Sequence, residues 1–365
     1  MYKISILGLG LIGGSLAKAL KNSSREIEIT GFDKDPVSEQ ALELKIIDKK
    51  INSISDSLGS DIIFLCLPTN LSLEYFKILA PQLKEGEIIS DVCGVKGIFE
   101  DEWKKIMASI PIFVGKSSGS YIGGHPMTGK EKGGLENSDP LLFENSLYLL
   151  SEKSKNLSGI SPFTDLIKLL GARIRFVDPY LHDKIIAYVS HLPQVLAVSL
   201  INSPGEDEKI NYPDFAAGGF RDLTRIASSD FDVWEPVFRY NKNEINSAIE
   251  NLISKLESMK NFIDKGDLSS IKDEFISSKK KRESIPSNIK GFINPVHDVF
   301  IYAEDKPGTL FRLTEVLYKN SINIKDIELL KIREGTGGTF RVSFETNETA
   351  ERAKVLIIHA GFRLA

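Results

Sequence analysis

The feature that most constrains this fold is a glycine pattern, Gly8-Leu9-Gly10-Leu11-Ile12-Gly13, set between the apolar run Ile4–Leu7 and the helical stretch Gly14–Leu20. A strand that feeds a helix through this spacing predicts a dinucleotide-binding βαβ unit. Gly8 permits the tight turn, Gly10 lets the backbone approach a pyrophosphate, and Gly13 lets helix and strand pack closely. Leu11 and Ile12 stand at the helix N-terminus that faces the phosphates. Asp33 follows Gly13 by 20 residues, at the end of the second apolar run, where a carboxylate accepts hydrogen bonds from ribose hydroxyls. NAD is therefore the expected cofactor. The carboxylate would repel a 2′-phosphate, although Lys34 beside it leaves some use of NADP open.

Up to about residue 155, short apolar runs alternate with amphipathic stretches, and Ile4–Leu7, Ile27–Phe32, Ile62–Leu67, Ile88–Val92, Ile112–Val114 and Leu147–Leu150 read as strands. That alternation predicts an α/β, Rossmann-type domain over residues 1–178, with a parallel sheet covered by helices on both faces. Pro68 and Thr69, and the stretch from Asp91 to Gly97, fall past the third and fourth runs, at the carboxyl edge where dinucleotides lie. From Pro179 the pattern is helical, giving a second, all-α domain over 179–280. Residues 281–295 read as a linker, since the charged Lys279–Arg282 run is followed by Pro286, Ser287, Asn288 and Pro295. After it, strand, helix, strand, strand, helix and a short last strand give a ferredoxin-like βαββαβ domain over 296–365.

Composition narrows the partners. A net charge of −4 with 42% apolar and 26% charged residues describes an ordinary globular protein with no excess of positive charge for nucleic acid or an anionic membrane. A small-molecule substrate is expected. The N-terminus lacks the features of a secretory signal, so a cytoplasmic location is expected, with Cys66 and Cys93 kept as thiols. The most apolar helical stretch, Ile185–Leu200, contains His191, Pro193 and Gln194 and reads as too short and too polar to span a bilayer. Its nearly all-round apolar surface instead predicts burial in a core or a subunit interface.

Oxidation of an alcohol needs a group that takes the hydroxyl proton, and imidazole suits this near neutral pH. Of the five histidines, His125 lies in a glycine-rich loop, Gly123-Gly124-His125-Pro126-Met127-Thr128-Gly129, where no packing demand explains it. His191 lies inside the apolar helix, and His182 at its beginning. Gly218-Gly219-Phe220-Arg221-Asp222-Leu223-Thr224-Arg225 interrupts the helical domain with two arginines, which recognise carboxylates bidentately and point to an anionic substrate.

Taken together, these residues resemble the prephenate/arogenate dehydrogenase family over essentially the first 280 positions. The matching motifs are Gly8 to Gly13, Asp91-Val92-Cys93-Gly94-Val95-Lys96, Gly124-His125-Pro126-Met127-Thr128-Gly129-Lys130-Glu131, Ser190-His191-Leu192-Pro193, and Gly219 to Ala227 followed by Trp234. The resemblance implies NAD-dependent oxidative decarboxylation of prephenate to 4-hydroxyphenylpyruvate in tyrosine biosynthesis, with arogenate as the alternative substrate. It implies His125 as catalytic base, Arg225 as the arginine that holds a substrate carboxylate, His191 and Trp234 as further active-site residues, and Glu131 as an acidic residue near the entrance. It also implies a homodimer formed through the helical domain. Two departures stand out. Some members carry a serine where Gly94 stands and a second histidine where Gln194 stands, so another group must replace the serine and the choice of substrate is open.

The last seventy residues resemble an ACT domain, with Asp305-Lys306-Pro307-Gly308-Thr309-Leu310 as its first turn. That resemblance implies an effector site at Asp305, Pro307, Gly308 and Leu310, with tyrosine as the expected effector. The alternatives are a purely structural dimerisation module for this domain and, for the whole chain, another dehydrogenase with a helical partner domain or a non-catalytic regulator that binds NAD and amino acids. No metal site is expected.

Overall fold

A computed structural model describes residues 2–23, 25–109, 119–130, 132–204, 211–285, 296–333 and 337–364. The chain divides into two compact units, residues 1–279 and 280–365.

The first unit is built on an eight-stranded sheet. In chain order its elements begin β1 (Tyr2–Leu7), α1 (Leu11–Lys21), β2 (Ile27–Phe32), α2 (Asp35–Glu43), β3 (Lys49–Lys50), β4 (Ile62–Leu65), α3 (Thr69–Leu79), β5 (Ile88–Asp91) and α4 (Gly97–Ser109). They continue with β6 (Ser120–Pro126), β7 (Leu147–Ser151), α5 (Ile160–Leu169) and β8 (Arg173–Val177). The strand order is β3-β2-β1-β4-β5-β6-β7-β8. Successive side chains of a strand point to opposite faces, so Ile4 and Ile6 pack with Phe64 and Phe163 on one side. Leu7, Ile63 and Leu65 pack with Phe76 and Phe99 on the other. The topology reverses between β1 and β4, and the loops after these strands flank the crevice where such sheets bind dinucleotides.

Two strand expectations need correction. The sheet is not wholly parallel, because β6 and β7 pair antiparallel through Gly124↔Leu150, His125↔Leu149 and Pro126↔Tyr148. His125 therefore lies in a strand, not a loop. The sequence hides β6 because its glycines and proline are poor strand formers, yet a Cβ at Gly124 would lie 2.8 Å from the Asp91 carbonyl oxygen. The strand expected at Ile112–Val114 lies outside the described residues.

The helical part contains α6 (Pro179–Ile186), a π-helical turn at Ala187–His191, α7 (Leu192–Asn202), α8 (Gly218–Thr224), α9 (Phe231–Tyr240), α10 (Lys242–Lys265) and α11 (Leu268–Glu283). Pro193 has no N–H for the carbonyl of Val189, which accounts for the wider turn just before it. The continuous helical run Pro179–Asn202 is 24 residues long and its most apolar 18-residue window has mean hydropathy 1.5, so by length and composition alone it could cross a membrane, contrary to the shorter reading from sequence. The Lys279–Arg282 run also differs from expectation. It forms the last turns of α11, where cations oppose the negative end of the helix dipole, rather than a linker.

The second unit has β9 (His297–Ala303), α12 (Thr309–Lys319), β10 (Asp326–Arg333), β11 (Gly337–Phe344), α13 (Asn347–His359) and β12 (Arg363–Leu364). Its sheet order is β10-β11-β9-β12, with Val299, Ile301, Leu313, Leu317, Val342, Phe344 and Ile357 in its own core.

Candidate active site

The glycine loop has the geometry a pyrophosphate needs. Gly8 adopts φ +98°, and a Cβ there would lie 2.5 Å from the Cys66 carbonyl oxygen across the crevice. At Gly13 a Cβ would lie 1.8 Å from the Gly8 carbonyl oxygen, whereas at Gly10 it would meet nothing within 4 Å. The loop is thus packed below and open above Gly10. No side chain caps α1, so the first N–H groups around Leu11 and Ile12 are left to an anion. Asp33 accepts hydrogen bonds from Leu9 N at 2.7 Å and from Lys34 N at 2.7 Å. These bonds fix the carboxylate at the end of β2 while its remaining lone pairs stay available to ribose hydroxyls.

Below the loop, Ile12, Cys66, Pro68, Thr69, Gly94, His125, Ser190, His191 and Trp234 line one cavity of about 380 Å³. Residues from α1, α3, β6, the π-helical turn before α7, α9 and the loops after β4 and β5 thus converge although they are far apart in sequence. His191 sits edge-on to the Trp234 ring at 6.0 Å and 90°. Its Nδ1 accepts from the Asn241 side-chain amide at 3.1 Å, leaving Nε2 as the donor of the neutral ring. Burial lowers the His191 pKa to about 4, so this ring is an uncharged donor near neutral pH.

His125 is held from behind. Its Nδ1 lies 2.9 Å from Nε2 of His182, and His182 Nδ1 lies 2.8 Å from the Asp183 carboxylate. Asp183 in turn accepts from the backbone N–H of Lys96 at 2.7 Å and of Gly97 at 2.8 Å, at the start of α4. Burial, followed by the nearby His182, Lys96 and His191, holds the His125 pKa well below the ordinary imidazole value, so its ring is uncharged near neutral pH. Sequence reasoning missed this pair. The adjacent His182-Asp183 at a helix start was the available signal, but only the tertiary fold brings it behind His125.

Other expected residues fall differently. Asp91 is fully buried, and its carboxylate is taken by the Lys96 ammonium, the Tyr121 hydroxyl at 2.8 Å and Cys93 N at 2.9 Å. It shapes the loop under the cavity; its side chain is not the cofactor contact expected from sequence. Gln194 is 4% exposed and its amide donates to the Ile226 carbonyl at 3.1 Å. It braces the turn after α8 instead of lining the cavity. Arg225 lines a separate open depression with Gly129, Lys130, Lys132, Asn137 and Ser229, so within one chain it does not join His125. Glu131 lies outside the described residues. Cys93 is 5% exposed, and burial pushes its thiol up to about 12, which removes the thiolate needed for redox chemistry at neutral pH. In the second unit, Asp305, Pro307, Gly308 and Leu310 are exposed around the start of α12, where Gly308 adopts φ +83°.

A dinucleotide-type glycine loop with a fixed carboxylate at the end of β2, opening onto a cavity that holds a neutral histidine, is the arrangement of an NAD-dependent oxidoreductase. The family models "Prephenate dehydrogenase, nucleotide-binding domain" and "Prephenate dehydrogenase, dimerization domain" match residues 16–176 and 178–276, and "ACT domain" matches 297–356. The chain belongs to the prephenate dehydrogenase family. It is 35% identical over 362 residues to a prephenate dehydrogenase of Lactococcus lactis, covering 98% of each chain. It is 31% identical over 361 residues to one of Bacillus subtilis, covering 97% of this chain and 95% of the relative. A crystal structure of prephenate dehydrogenase from A. aeolicus in complex with hydroxyphenyl propionate and NAD+ superposes with a TM-score of 0.70 at 30% identity, covering 78% of this chain and 98% of that one.

Proposed function

We propose that the protein oxidises prephenate, with release of carbon dioxide, to 4-hydroxyphenylpyruvate. The observation that carries this reading is the placement of His125 in the cavity, with Nδ1 engaged by His182 and Nε2 facing Gly94. NAD, when bound along Gly8–Gly13 and Asp33, supplies the acceptor for the hydrogen leaving the hydroxyl-bearing ring carbon. Nε2 of His125 takes the hydroxyl proton as the carbon–oxygen double bond forms. The ring carboxylate then leaves as carbon dioxide, its bonding pair enters the ring, and the oxygen recovers a proton as the aromatic phenol. Ser190 and the neutral His191 offer hydrogen bonds to the substrate, and Trp234 forms an aromatic wall. Lys130, Lys132 and Arg225 give the neighbouring depression a positive field that favours a dianionic substrate.

Arogenate is the competing substrate. Because Gln194 is turned to Ile226, the discrimination does not rest on its amide, and the names of the two relatives at 31 and 35% identity favour prephenate. NADH formation with each compound offered separately tests the reading. Turnover of prephenate supports it, turnover of arogenate alone moves the substrate, and NAD binding with neither oxidised favours the non-catalytic regulator.

The working state is a homodimer. Leu181, Ile185, Val189 and Leu196 are 40–60% exposed on one helical run, in the region matched by the dimerisation-domain model. The same run carries His182 against His125 of the sheet and Asp183 against the start of α4, which supports a packed helix of a cytoplasmic enzyme over a membrane span. Tyrosine is the proposed feedback effector, bound at the Asp305–Leu310 turn; loss of activity on adding tyrosine, abolished by Gly308→Asp, tests this.

A further inference from the structure

The hydrogen bonds behind His125 run in one direction, and chemistry fixes that direction. A carboxylate only accepts, so the His182 nitrogen 2.8 Å from Asp183, Nδ1, must carry the proton. In the neutral ring, Nε2 of His182 is then an acceptor, and it lies 2.9 Å from Nδ1 of His125. That nitrogen of His125 must therefore carry its proton as well. The remaining nitrogen, Nε2, keeps its lone pair toward Gly94 and the cavity. Asp183 itself is held by two backbone N–H groups at the start of α4, and both it and His182 are nearly fully buried, at 7% and 2% exposure. Lys96, the other nearby charge, is committed to the Asp91 carboxylate.

We infer that Asp183 and His182 are positioning residues that set the tautomer of His125, making Nε2 the proton acceptor. The inference rests on His125 being the base. Gly94 gives it weight: a glycine offers Nε2 no side-chain partner, so the tautomer is controlled from the Nδ1 side. A neutral imidazole with the proton on the wrong nitrogen would point an N–H at the substrate hydroxyl and could not accept from it.

Asp183→Asn tests this with little change in shape. In either orientation the amide nitrogen opposes a backbone N–H of Lys96 or Gly97 and the charged acceptor for His182 Nδ1 is lost, which releases the His182 proton to move to Nε2 and that of His125 onto its own Nε2. We expect kcat to fall about 10²- to 10⁴-fold with the KM for prephenate and the affinity for NAD little changed. Nitrogen-15 spectra of the histidine rings should show Nε2 of His125 changing from unprotonated to protonated. If Asp183→Asn does not fold, His182→Gln and His182→Leu decide. Gln presents an acceptor to His125 Nδ1 and should keep kcat within about tenfold, whereas Leu presents none and should lose about 10²-fold or more. An unchanged ring spectrum in Asp183→Asn, or equal kcat in the Gln and Leu variants, overturns the inference. If His125→Ala keeps full turnover, the reading of His125 as base fails instead.

Discussion

A Cβ built on Gly94 would lie 3.8 Å from Nε2 of His125 and 3.9 Å from its Cε1, so the smallest residue faces the reactive nitrogen of the base. The space beside Nε2 is thereby kept for the substrate hydroxyl. His125→Ala should lower kcat about 10²- to 10⁴-fold while NAD affinity stays within about twofold, because the pyrophosphate and ribose contacts proposed for NAD are on the Gly8–Gly13 loop and Asp33. Steady-state kinetics with a separate fluorescence titration of NAD would check it, and unchanged turnover would remove His125 from the mechanism.

The three histidines of the site also make stability depend on pH. Burial lowers the pKa of His125, His182 and His191, the last to about 4. The unfolded rings titrate near the ordinary value of about 6.5, so below that pH the unfolded chain binds more protons than the folded one. Stability is therefore full above about pH 7 and declines as pH falls. His191 alone contributes a loss of up to about 3 kcal/mol by pH 4. Denaturant midpoints measured from pH 7.5 to 4.5 should fall steadily, and His191→Asn should flatten the slope. A midpoint constant over that range would contradict the burial of these rings as neutral groups.

How much of this was legible in the sequence depended on how local each interaction is. The loop from Gly8 to Gly13 and Asp33 could be read because strand, turn and helix follow one another along the chain. His125 was legible as an unexplained imidazole, but not its strand, since β6 is made possible by contacts of Gly124 with β5 and Tyr148 that no local pattern records. Asp91 was misread for the same reason. A carboxylate at the sheet edge resembles a cofactor contact until Lys96 and Tyr121 are seen to neutralise and bind it. The pairing of His125 with His182 spans 57 residues and joins two domains, so nothing short of the tertiary fold shows it.

Asp33 is the residue we propose sets the nucleotide preference. Its carboxylate, fixed by Leu9 N and Lys34 N, stands where a 2′-phosphate would need to sit, with Lys34 adjacent. Asp33→Ser would remove the charge repulsion and the ribose acceptor together. We expect NAD affinity to fall about tenfold, equivalent to about 1.4 kcal/mol, and NADP use to rise, so that the ratio of kcat/KM values moves toward NADP by about 10²-fold. Kinetics with both nucleotides would show this; an unaltered ratio would mean that the ribose is read elsewhere.

The apolar run that carries the positioning pair His182 and Asp183 should also carry the dimer. Only 28% of the most apolar window of Pro179–Asn202 is buried within one chain, and Val189 is 60% exposed. A charge at the centre of such a face would be desolvated without a partner when two subunits meet. Val189→Asp should weaken the dimer at least about 10²-fold, visible by sedimentation as a shift to monomer. Because Val189 is two residues from His191 in the π-helical turn, the substitution should lower turnover as the helix loses its support. His191 would shift out of line with Trp234, and the KM for prephenate should rise in parallel with the monomer fraction. A variant that stays dimeric at micromolar concentration would place the subunit contact on another face of the helical domain.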